Sequence, residues 1–107
     1  MKGGRAWLAI GAVFLAAPVH AGDAAAGRQK AGSCVACHGA VGLSTLPNAP
    51  NLAGQPEIYL VEQLRAYRNG KRANEVMTVV ARALSDRDID DLAAWYGSIR
   101  IEAKPPD

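Results

Sequence analysis

Five consecutive residues, Cys34-Val35-Ala36-Cys37-His38, constrain this chain more than any other stretch. Two cysteines three apart, followed directly by histidine, form the attachment pattern of c-type haem. Each thiol can add to a haem vinyl group as a thioether. The adjacent imidazole is then held under the porphyrin, where it can ligate iron. Covalent capture also keeps the cofactor in place in a compartment open to dilution.

Other uses of a CxxC pair fit less well. Structural zinc takes four ligands, mostly from Cys and His. Beyond its first 21 residues the chain offers only two cysteines and one histidine. A thioredoxin-like motif belongs beside a βαβ pattern, and no stretch reads as a convincing strand. A short disulfide between Cys34 and Cys37 remains open in an oxidising compartment, but leaves His38 without a role. One haem c, bound through Cys34 and Cys37 with His38 on the iron, is the expectation.

Residues 1–21 read as a secretory signal peptide. Lys2 and Arg5 supply the positive region, Ala6 to Ala17 the apolar region, and Val19-His20-Ala21 the small-residue cleavage site. Twelve apolar residues fall short of the ~20 that span a bilayer, so no membrane span is expected after cleavage. The remaining 86 of 107 residues, 22–107, form one small domain. Export and a haem c together predict a bacterial periplasmic location. Losing Lys2 and Arg5 lowers twelve basic residues to ten, against ten acidic ones. A neutral domain lacks the basic patch that nucleic-acid binding needs. Charge is nevertheless segregated along the chain, with Arg65, Arg68, Lys71 and Arg72 in one stretch and Asp86, Asp88, Asp90 and Asp91 in another. Two solvated helix ends account for this more simply than a docking patch.

The domain reads as all-α. Asp23 caps a first helix that runs through Ala24-Ala25-Ala26 to Lys30, placing the cysteine motif at or just past its end. Gly27 is a poor helix residue, which suggests that another helix approaches there. Residues 39–55 carry Gly42, Pro47, Asn48, Pro50, Asn51 and Gly54, which is loop chemistry. A loop this long in a small domain suits the edge of a cofactor. Pro56 fits the first turn of a second helix, with Leu60, Leu64 and Tyr67 on one face and Asn69-Gly70 ending it. Val76 to Leu84 reads as a short helix whose start the pattern leaves open. Ser85-Asp86-Arg87-Asp88 resembles a capping box for a last helix, with Ile89, Leu92, Ala93 and Tyr96 on its apolar face.

With His38 on one side of the iron, few residues can take the other. His20 leaves with the leader, and thioether formation consumes both cysteines. Met77 is the one methionine besides Met1. Lys30, Lys71 and Lys104 must first lose a proton. Met77 as sixth ligand competes with a plain core methionine and an open iron site. His/Met ligation fills both axial positions and raises the reduction potential, which suits a carrier of single electrons better than an enzyme.

These features, in this order, resemble class I cytochrome c, and within it the small bacterial domains of the c-four and soluble photosynthetic-type groups. The resemblance runs from Gly22 to about Ser98. It rests on Gly22-Asp23 through Gly27, the CxxCH motif, Pro50-Asn51-Leu52-Ala53-Gly54-Gln55, Met77, and Leu84-Ser85-Asp86 through Trp95-Tyr96. It implies about four helices wrapped around one covalent haem. It implies that the Pro50 carbonyl accepts a hydrogen bond from His38, a residue otherwise readable as part of a turn. It also implies that the first and last helices cross near Gly27, against Leu92, Trp95 and Tyr96. Members of the c-four group carry two such domains, whereas this chain has one CxxCH. The implied function is periplasmic electron transfer with redox protein partners. Those partners are respiratory or photosynthetic complexes, or a dehydrogenase of which the chain would be the electron-accepting subunit. A haem enzyme or sensor with an open site is the remaining alternative.

Overall fold

The computed structural model describes residues 1–15 and 22–107. Residues 1–15 are exposed and lack regular structure, and the cleavage site Val19-His20-Ala21 lies outside the described residues. Five helices form among the described residues: α1 (Ala24–Lys30), α2 (Gly32–His38), α3 (Glu57–Asn69), α4 (Glu75–Arg82) and α5 (Asp86–Ser98). The all-α expectation holds. The additional helix is α2, made of the haem motif itself. Ala31, at φ −74° and ψ 0°, ends α1 and begins α2 with almost no interruption. Gly32 and Ser33 are poor helix formers, so local propensity hid this element.

The remaining helix ends follow from short-range chemistry. Asp23 accepts from the Ala25 and Ala26 amides at 2.9 and 3.2 Å. Asn74 accepts from Val76 and Met77, both at 3.0 Å, and so sets the start of α4. Gly70 closes α3 in the left-handed region at φ 85°. Ser85 and Asp88 form the full reciprocal capping box on α5.

Packing is dominated by α1 against α5, while α3 joins both α4 and α5. A Cβ built on Gly27 would stand 1.9 Å from the Asp91 carbonyl oxygen and 2.8 Å from Trp95 Cβ. No side chain fits there, and the two terminal helices meet through bare backbone. Asp91, only 2% exposed, fastens the crossing. It accepts from the Asp23 amide at 2.8 Å and from Lys30 Nζ at 2.7 Å. Lys30 also reaches Asp88 at 2.9 Å. The Lys30 ammonium and the Asp23 amide hold the Asp91 carboxyl below its usual range.

The segregated charges of the sequence turn out to be partners. Arg68 binds the Leu84 carbonyl at 3.1 Å and the Asp86 carboxylate, and Arg65 stands 3.6 Å from Asp90. Folding places Arg65 and Arg68 of α3 beside Asp90 and Asp86 of α5, while Asp88 and Asp91 of the same acidic stretch pair with Lys30 of α1. Trp95 is half-buried with the Arg28 guanidinium 5.4 Å from its ring centroid, whereas its neighbour Tyr96 is the buried aromatic.

Asp88 gives a pH prediction. Its carboxylate accepts from the Ser85 amide and pairs with Lys30, which lowers its pKa from 3.8 to about 2. A carboxyl depressed by folding stabilises the fold above its ordinary pKa and loses that contribution as pH falls through the folded value. Thermal midpoints should therefore hold steady down to about pH 4 and decline from there toward pH 2. Asp88→Asn should flatten part of that decline. An equally steep acid limb in the variant would refute the assignment.

Candidate functional site

In α2, residues three apart lie on one face about 4.5 Å apart along the axis. Cys34 and Cys37 meet this condition, and neither is in a disulfide. Cys34 is half-buried and Cys37 exposed. No group of three or more His, Cys, Asp or Glu side chains gathers among the described residues.

His38 is the last residue of α2 and is 6% exposed. Its Nδ1 lies 2.8 Å from the Pro50 carbonyl oxygen. A carbonyl can only accept, so the ring proton sits on Nδ1 and the Nε2 lone pair is left for a metal. Two features of the loop bring Pro50 there. Gly39 turns the chain out of the helix at φ 83°, where a Cβ would strike the Leu43 carbonyl oxygen at 2.0 Å. Ser44 then ties the loop to the helix: its hydroxyl donates to the Cys37 carbonyl at 3.0 Å, and its amide donates to Asn51 Oδ1 at 2.7 Å. Leu52 and Ala53 donate to the Gly42 carbonyl at 2.8 and 3.0 Å. Residues 39–55 are thus a knitted loop; Ser44 carries no signal in the sequence, and Asn51 stands out only as a turn residue and within the Pro50–Gln55 stretch of the resemblance.

Met77 is half-buried in the first turns of α4. That helix packs on α3, while α2 packs on α1. His38 and Met77 therefore belong to separate parts of the bundle, and neither element forms a substantial interface with the other.

The surroundings fit a large apolar group bound at the motif. Among the described residues nine hydrophobic ones are buried, and five of these are alanines: Ala31, Ala53, Ala81, Ala93 and Ala94. Leu60, Ile89, Leu92 and Tyr96 supply the rest. So small a set is thin for a domain of this length. Meanwhile Val35, Val41, Leu43 and Leu46, on or just after α2, are 38–51% exposed. Burial pushes the Cys34 thiol above its ordinary range, and it raises the Tyr96 phenol likewise. Tyr96 Oη is buried without a hydrogen-bond partner. The period of α5 places Tyr96 on its apolar face but says nothing of where its hydroxyl ends. A phenol in an apolar stripe is itself a sign that a partner is needed.

Comparison with known proteins agrees with this geometry. The family model for cytochrome c matches residues 24–99. Cytochrome c-554(548) of Halomonas halodenitrificans is 52% identical over 81 residues, covering 73% of this chain and 98% of that protein. The thiosulfate dehydrogenase electron acceptor of Thiomonas intermedia is 44% identical over 98 residues, covering 90% of this chain but 43% of the relative. Among solved structures, reduced recombinant cytochrome c4 from Pseudomonas stutzeri superposes with a TM-score of 0.71 at 43% identity, over 75% of this chain and 47% of that one. The chain thus spans nearly all of the first protein and less than half of the other two. This chain belongs to the cytochrome c family, and it is a haem c electron-transfer protein rather than an enzyme.

Proposed function

We propose that this chain is a periplasmic shuttle of single electrons, exported by residues 1–21. Its haem is joined to Cys34 and Cys37, His38 and Met77 are the axial ligands, and Pro50 orients His38. The observation that carries the reading is the 2.8 Å contact between His38 Nδ1 and the Pro50 carbonyl. An acceptor at Nδ1 fixes the tautomer and ring plane and makes Nε2 a better donor to iron. The bound haem supplies a centre that gains or loses one electron.

The chain's own residues account for the rest. Met77 is the thioether available once residues 1–21 are removed; it would hold the iron together with His38, and a thioether ligand would favour the reduced state. With both ligands supplied by the chain, the iron would gain or lose an electron without a change of coordination. The exposed Cys37 and the apolar rim of Val41, Leu43 and Leu46 mark where a redox partner can approach. The pairing of Arg65 and Arg68 with Asp90 and Asp86 leaves less one-signed charge to steer that approach.

A second reading makes the chain the dedicated acceptor of a periplasmic dehydrogenase. Its likeness to a thiosulfate dehydrogenase electron acceptor favours this. The near full-length likeness to a single small cytochrome favours the free shuttle. Purification from native periplasm separates the two, because a subunit travels with its catalytic partner and a shuttle does not.

Met77→Ala tests the ligand set. The variant should lose the methionine-to-ferric-iron charge-transfer band, fall in potential and bind cyanide readily. An unchanged ferric spectrum would show that another residue ligates the iron.

A further inference from the structure

Tyr96 is a residue whose packing and chemistry disagree. Its side chain is 3% exposed, and it belongs to the central cluster with Leu60, Leu92 and Ala93. Its ring lies so close to Gly42 that a Cβ there would come within 2.8 Å of ring Cδ1. Yet its hydroxyl is the one buried side-chain polar atom without a hydrogen-bond partner among the described residues. Phenylalanine would fill the same space without stranding a donor, so the hydroxyl calls for a partner.

Its chemical neighbour is Cys34. The cysteine packs against the same cluster, and thiol and phenol interact, although no hydrogen bond of normal geometry forms between them. A thiol can both donate and accept. A thioether has no proton and can only accept. Attachment of haem through Cys34 would therefore leave the phenol as the sole donor of the pair.

We propose that Tyr96 is a positioning residue that donates its hydroxyl hydrogen to the Cys34 sulfur of the loaded protein and thereby raises the haem reduction potential. The inference rests on attachment through Cys34, as set out above. A donor on the sulfur draws electron density away from the macrocycle, and so favours the form that carries the extra electron. Hydrogen bonding around the cofactor is a recognised means by which a protein sets a potential.

Holoprotein variants test the idea. Tyr96→Phe keeps the ring on Gly42 and removes only the donor. Its potential should fall while the His/Met spectrum stays intact. In resonance Raman spectra, the thioether C–S band of the parent should shift between H2O and D2O, and the shift should vanish in Tyr96→Phe. In a Cys34→Ala background, where Cys37 alone links the haem, Tyr96→Phe should leave the potential unmoved. An unchanged potential in the first variant overturns the proposal. So does an equal fall in the Cys34→Ala background, or a C–S band insensitive to deuterium. Should Cys34→Ala fail to load haem, the deuterium comparison decides alone. Peptide mass spectrometry of the parent reports haem on Cys34 separately, so failure of the attachment is distinguishable from failure of the hydrogen bond.

Discussion

Gly27→Ala holoprotein should melt far below the parent, although alanine is the better helix former. On an exposed helix this exchange would stabilise the domain by up to ~1 kcal/mol. Here the added methyl would stand 1.9 Å from the Asp91 carbonyl oxygen. Backbone on the facing helix cannot rotate aside as a side chain can, so α1 and α5 must separate. Overpacking of this kind costs ~1–3 kcal/mol, and the contact with backbone argues for the upper end. For a domain of this size ~3 kcal/mol lowers the midpoint by roughly 12–24 °C. The effect should extend beyond stability. Moving α1 loosens the Asp91 contacts to Asp23 and Lys30, and α2 continues from α1 through Ala31 alone. His38 should shift with it, broadening the haem spectrum before the fold is lost. Calorimetry of parent and variant checks the prediction, and a midpoint equal to the parent's would refute the close crossing.

Removing both attachment points should have the largest consequence. Cys34→Ala/Cys37→Ala should lose all haem to acid–organic extraction, whereas the parent polypeptide keeps the added mass. Either single variant should retain one link. The double variant should also lose much of its helical signal at room temperature. Among the described residues, five of the nine buried hydrophobic ones are alanines, and so small a core does not offset the conformational entropy of an ordered domain. A buried cofactor replaces the missing apolar volume. A double variant that stayed folded and helical without haem would show that the polypeptide core suffices.

What the sequence determined by itself was local. Asp23, Gly70 and the Ser85–Asp88 box are read correctly because each cap acts on amides or carbonyls within a few residues. The apolar face of α5 follows from its period, and Ile89, Leu92, Ala93 and Tyr96 are all buried. The CxxCH motif is legible for the same reason, since its chemistry is complete within five residues. Local propensity does not announce α2, because Gly32 and Ser33 disfavour a helix that continuity with α1 stabilises.

Long-range pairs depend instead on how the helices dock. Lys30 and Asp91 are 61 residues apart, and Arg68 and Asp86 are 18 apart. No periodicity announces such pairs, because their energy appears only when α1 and α3 dock on α5. The same holds for Tyr96, whose position in an apolar stripe was plain while its unpartnered hydroxyl was not. Burial and partnership depend on which other elements arrive. A short-range pattern states what a segment prefers, and the docking of segments settles which polar groups are answered and which are left waiting for a partner.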